Sequence, residues 1–150
     1  MQRSITHYKP LVPIFYVVLF IVYGSLSTIY PLLPPFFAVL LVLFSKALDT
    51  NDSIFILLIS LCLVIYEANF GYILFSSIIY FYIVNKFIMP KLTQNFSCTS
   101  CVRIAYVLLA YIGYYLFLTL LSNIFLLETP DIDYYIIYYI VIEFFIVSLL

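Results

Sequence analysis

Charge is what this 150-residue sequence has least of: Asp, Glu, Lys and Arg make up 9% of it, against about 25% in an ordinary soluble domain. That shortage excludes a soluble globular protein. The six basic residues and the net charge of −1 leave no electropositive footprint for nucleic acid. Glycine is scarce, at 3 residues, proline stands at 7 and no internal repeat is visible, so a fibrous or low-complexity chain is excluded too. Tryptophan is absent, and tyrosine has to supply any aromatic belt at a membrane boundary. No P-loop, GxSxG, HExxH or Rossmann fingerprint occurs, and the polar loops are too short for a catalytic domain. The expectation is a protein that is no enzyme and carries no cofactor.

What is present is apolar. Hydrophobic residues make up 67% of the chain, and the mean hydropathy is +1.21. Both values read as an integral membrane protein. Basic residues precede the first apolar run, as in a signal peptide. That run, residues 11–30, suits a span of about 20 residues better than a signal core, and no small-x-small cleavage site follows. It reads as a retained first helix.

Charges, prolines and polar clusters mark the boundaries between spans. Residues 31–35, PLLPP, cannot continue a helix and read as a tight turn. Asp49 to Ser53, DTNDS, is a polar turn and a good helix start. The stretch 53–88 would be about 54 Å long as one helix, too long for one crossing and right for two. EANFG, residues 67–71, is its natural break, because Gly71 can turn where other residues cannot. The polar stretch 90–103 and the acidic turn 128–133 set off two further runs. The expected architecture is an all-α integral membrane protein, a compact bundle of six transmembrane helices with short loops. The spans fall at 11–30, 32–48, 53–67, 70–88, 104–127 and 134–150 of a single polytopic domain.

Six spans put Arg3, Lys9, Lys46, Lys86, Lys91 and Arg103 on one side. Glu67, Glu128, Asp131 and Asp133 fall on the other, with no basic residue. The positive-inside rule makes the basic side cytoplasmic. Both termini are then cytoplasmic, and Glu67 lies at the outer boundary, solvated in a turn beside Asn69.

Glu143 is the sharpest chemical feature. It lies about 15 Å into the last span, where a charged carboxylate costs at least about 2.5 kcal/mol. It is a proton or substrate site, a buried polar lock, or a neutral acid hydrogen-bonded to Ser, Thr or Tyr of a neighbouring helix. No basic residue lies mid-span to pair with it. Cys98 and Cys101 form a CxxC, but tetrahedral zinc needs four ligands and only His7 and Cys62 could add to the pair. They read as free thiols, and His7 as an ordinary interfacial residue. Tyr134, Tyr135, Tyr138 and Tyr139, with Tyr111, Tyr114 and Tyr115, read as belt and packing.

Two stretches carry a family resemblance. GSLSTIYPLLPPFFAVLLVLFSKAL, residues 24–48, resembles the first hairpin of the rod shape-determining protein MreD family: a polar Ser/Thr helix end, a proline, then a Leu-rich helix ending in basic residues. LCLVIYEANFGYILF, residues 61–75, is similar to that family's acidic residue closing one helix before a glycine opens the next. Glu67 would stand for the family's Asp and Gly71 for its Gly. The resemblance implies a non-enzymatic scaffold of the cell-elongation, peptidoglycan-synthesising machinery in the bacterial cytoplasmic (inner) membrane. MreC-like, RodA-like and transpeptidase partners would dock through their own transmembrane helices. Glu143, Ser25, Ser27, Thr28 and Thr119 suit such docking, because membrane helices associate by close packing and buried hydrogen bonds.

A competing class is the substrate-binding membrane subunit of a vitamin-type transporter, for which Glu67, Asn69 and Glu128 could line an outward pocket. The residues singled out for partner or substrate contact are thus Glu143, Glu67, Asn69, Gly71, Ser25 and Thr28. The lipid bilayer is the surrounding partner in either reading.

Overall fold

The computed structural model describes residues 11–131 and 133–150. Arg3, His7 and Lys9 lie outside that range. Among the described residues there are six helices and no strands. They are α1 (Leu11–Ile29), α2 (Phe37–Thr50), α3 (Ser53–Phe70), α4 (residues 76–95), α5 (Thr99–Phe125) and α6 (Tyr135–Leu149).

Two of them, α3 and α5, are long and apolar enough to cross a membrane, with mean hydropathies of 2.1 and 2.0; Ile14–Ile29 and Tyr135–Leu149 are shorter apolar helices. The boundaries differ from those expected in four places, each for a local reason. Helix α2 starts at Phe37, after the turn at residues 31–33 and the prolines Pro34 and Pro35. Helix α3 runs on past Glu67 to Phe70 and ends at Gly71, which is left-handed with φ +70° and donates its N–H back to the Glu67 carbonyl. Helix α4 begins only at Ser76 and passes through Pro90 to Asn95. It does so because Val84–Ile88 widens into a π-helical turn, which eases the clash a proline makes with the carbonyl four residues before it. Helix α5 starts at Thr99, within the polar stretch expected to be a loop, and carries its own π-helical turn at Leu109–Gly113.

Helix α2 sits at the centre, packed against α3, α5 and α6, while α1 packs on α3. Its buried face includes Phe37, Ala38, Leu41, Phe44 and Ala47. Ala38 and Ala110 are fully buried where α2 meets the π turn of α5. Small residues there let two backbones approach closely.

The rest of the surface inverts the soluble pattern. Leu57, Leu120, Ile137 and Phe145 face outward, whereas Glu67, Glu143 and Ser77 are 0% exposed. The ends of the bundle differ in charge. One end gathers Ser45, Asp49, Asn85, Lys86, Thr93 and Tyr106 around a cleft of about 520 Å³. The other brings the α3–α4 connection against Glu128, Asp131 and Asp133.

Candidate functional site

The first turn of any helix leaves backbone N–H groups without intrahelical acceptors. A Ser, Thr, Asp or Asn at the cap normally accepts them. Helices α2 and α4 lack one: the cap positions are Phe36 and Phe75, both left-handed with φ 56° and 67° and neither with a side-chain cap bond. A phenylalanine there is unusual. In both cases a glutamate from another helix takes over.

Glu143, on α6, accepts the Phe37 N–H at 3.1 Å on Oε1 and the Ala38 N–H at 2.7 Å on Oε2. The Tyr111 hydroxyl, from the π turn of α5, donates to the same Oε1. All three partners place a hydrogen-bonding group on the carboxyl oxygens, two of them backbone donors. The positive end of the α2 dipole faces it as well. The helix start stands where a lysine or arginine partner would otherwise be needed. The sequence offered a Ser, Thr or Tyr partner for Glu143; the tyrosine is there, and the two backbone donors were not foreseen.

Glu67 departs from expectation. It is fully buried, not solvated in a turn. It lies on the last turn of α3 and accepts from the Phe75 N–H at 2.6 Å, the Ser77 N–H at 2.6 Å, the Ser77 hydroxyl at 2.5 Å and the Ser76 hydroxyl at 3.0 Å. The physical reason is substitution: the opening of α4 supplies the donors that water would supply in an exposed turn. Ser76 Oγ also lies 2.9 Å from the Tyr114 hydroxyl. A hydroxyl has one proton, and since Ser76 gives its own to Glu67, Tyr114 is the donor to Ser76.

One residue joins the two centres. Phe37 gives its N–H to Glu143, while its ring meets Tyr66 at 4.8 Å, Phe81 at 5.0 Å and Tyr114 at 4.7 Å between centroids. Tyr66 precedes Glu67, and Tyr114 lies one turn beyond Tyr111. The two carboxylates therefore stand on either side of one aromatic wall. Tyr80 closes its edge: its hydroxyl donates to the Leu109 carbonyl at 2.6 Å, an acceptor in the widened π turn, and passes through space that a side chain at Gly113 would fill.

The other singled-out residues stay apart. Gly71 caps α3, and Asn69 is exposed two residues before it, near Gly24 of α1. Ser25 and Thr28 are exposed on α1 and bonded to carbonyls of their own helix, at Ile21 and Ser25. Thr119 does the same with Tyr115. Ser27 is buried, and among the described residues its hydroxyl has no hydrogen-bond partner. The CxxC is a helix cap: Cys98 Sγ accepts the Cys101 N–H at 3.4 Å at the start of α5. Among the described residues no three His, Cys, Asp or Glu side chains gather as a metal site. Sequence reasoning missed Ser76 and Ser77, although paired serines after an apolar connection are a helix-start signal.

No family model matches the chain, and no curated protein or solved structure matches it.

Proposed function

We propose that this chain is a six-span, non-enzymatic scaffold subunit of the bacterial inner membrane. Its place is in the cell-elongation machinery, where partner transmembrane helices dock on it. One observation supports the scaffold reading above others: both buried carboxylates have their oxygens engaged by the chain's own helix starts and hydroxyls. The two carboxylates hold the bundle together and offer no free oxygen to a substrate. Recognition is then left to the outward helix faces, which are apolar, as lipid or another helix requires. The MreD resemblance supplies the machinery and its MreC-like, RodA-like and transpeptidase partners.

Tagged chain, solubilised in mild detergent, should bring down an MreC-like membrane protein from its own host. Replacing outward residues such as Leu120 and Ile137 with tryptophan should abolish that without unfolding the bundle. Release from membranes by alkaline carbonate would end the membrane part of the reading. Intact membrane insertion with no partner from the elongation machinery would end the scaffold part.

The transporter reading has one observation in its favour, the acidic cleft at the α3–α4 end. A transporter subunit would instead co-purify with an ATPase pair.

A further inference from the structure

At the lysine-bearing end of the bundle, α2, α4 and α5 line a cleft of about 520 Å³, within the roughly 300–1,000 Å³ range of small-molecule sites. Its walls carry opposite charges, Asp49 on α2 and Lys86 on α4. The Lys86 ammonium turns to the Tyr82 hydroxyl, at 3.2 Å, and closes no ion pair with Asp49. Asn85 also lines the cleft, from the π turn Val84–Ile88 of α4, and such turns recur at functional sites. Its Nδ2 donates to the Phe81 carbonyl at 2.8 Å, which fixes the amide. Its Oδ1 is buried and among the described residues has no hydrogen-bond partner. The Ser45 and Tyr106 hydroxyls of the same cleft bond to each other at 2.9 Å and leave that oxygen unmet. A buried acceptor left open costs free energy until a donor reaches it.

We propose that this cleft binds a zwitterionic phosphoethanolamine group, with its phosphate on Lys86 and its ammonium between Asp49 and Asn85 Oδ1. An ammonium has three N–H donors, enough for the carboxylate and the open amide oxygen together. Lysine meets a phosphate as a point charge. A simple anion would leave Asp49 and the amide oxygen opposed to it, and a simple cation would leave Lys86 so. The group comes either from the headgroup of an aminophospholipid or from a soluble phosphoethanolamine ester. The outer face of α4 favours the lipid: Ile79, Ile83 and Phe87 follow at four-residue intervals and are 53%, 37% and 59% exposed. They form an apolar track beside Lys86 along which acyl chains can lie. The lipid source rests on the membrane part of the proposed function, which carbonate extraction tests by itself; the zwitterion site does not.

Delipidated full-length protein in dodecyl maltoside is titrated with lipids, and the adducts are counted by native mass spectrometry. Phosphatidylethanolamine should bind near one per chain. It should bind at least tenfold tighter than phosphatidylglycerol, which lacks the ammonium, and severalfold tighter than phosphatidylcholine, whose nitrogen has no N–H. Lys86→Gln should weaken the ethanolamine and glycerol lipids alike. Asp49→Asn should weaken only the ethanolamine lipid, at least fivefold, and its retained phosphatidylglycerol binding shows that the cleft is still folded. Asn85→Ala should shrink the preference over phosphatidylcholine. Equilibrium dialysis against labelled glycerophosphoethanolamine separates the sources: affinity within tenfold of the lipid's assigns the site to a soluble ester, weaker binding to the lipid. Failure of both the lipid and the ester to saturate overturns the proposal. Equal affinity for the three lipids, or an Asp49→Asn variant that weakens the ethanolamine and glycerol lipids equally, overturns it as well.

Discussion

Glu143 and Phe37 lie 106 positions apart in the chain, yet the Phe37 N–H reaches the Glu143 carboxylate at 3.1 Å. A long-range contact therefore does what a cap residue ordinarily does within one turn. Because the acceptor belongs to α6, helix α2 is completed at its start only when the last helix is in place. The same device recurs at α4, where Glu67 of α3 reaches the Phe75 and Ser77 N–H groups. Both carboxylates are thus tertiary locks that tie the start of one helix to the body of another.

Substituting Glu143 tests the first lock. Glu143→Gln keeps the shape and one acceptor oxygen, but sets its NH2 against a donor, the Ala38 N–H when the oxygen takes the place of Oε1. It should cost about 1–3 kcal/mol, the range for a buried polar group left unpaired. Tyr111→Phe removes one donor and leaves the helix start intact, so its cost should be smaller, about 1 kcal/mol. Denaturant unfolding in detergent ranks the two. Equal losses would mean that the backbone bonds contribute nothing to the lock.

Glu67 is tested at its amides. Glu67→Ala strands the Phe75 and Ser77 N–H groups, and hydrogen exchange at both should accelerate while the middle of α4 stays protected. The relay Tyr114–Ser76–Glu67 predicts coupling: Tyr114→Phe should destabilise less in a Ser76→Ala background than alone. A double-mutant cycle should give roughly 0.5 kcal/mol or more. Strict additivity would show that Tyr114 acts only by packing.

The six helices and their apolar character were legible because prolines, the DTNDS cluster and the acidic turn interrupt an otherwise uniform sequence. Gly71 was legible for the same kind of reason, since its left-handed turn needs a residue without a side chain. The burial of Glu67 was not. A carboxylate four residues before a glycine looks the same whether water or the next helix supplies its donors. Helix α4 continuing through Pro90 was hidden as well, because a π-helical turn leaves no mark in composition. For Glu143 the place in the last apolar helix was readable, but its main partners are backbone groups, and these have no sequence signature.

Gly113 should tolerate no side chain. A Cβ there would lie 2.1 Å from the Tyr80 hydroxyl and 3.3 Å from its ring, and that ring is buried and stiff. Gly113→Ala must push Tyr80 aside and strand the Leu109 carbonyl it satisfies, at a cost of about 1–3 kcal/mol. Tyr80→Phe removes the oxygen that clashes, so the double variant should be more stable than Gly113→Ala alone. If Gly113→Ala unfolds at the wild-type temperature, the close approach of Tyr80 is not as described.

Cys98 offers a prediction in pH. It is exposed ahead of α5, and hydrogen bonds from the Cys101 thiol, then from the Cys101 N–H, hold its thiol below the ordinary cysteine value. The thiolate is the reactive form, and a lowered value means that more of it exists at neutral pH. Alkylation of Cys98 should therefore rise and level off at lower pH than that of an unstructured cysteine peptide. Cys101→Ala removes the thiol donor and should move the midpoint upward, toward the peptide. Mass spectrometry of iodoacetamide-treated protein across a pH series reads both midpoints. Superimposable profiles for the wild type and Cys101→Ala would show that the Cys101 thiol does not stabilise the Cys98 thiolate.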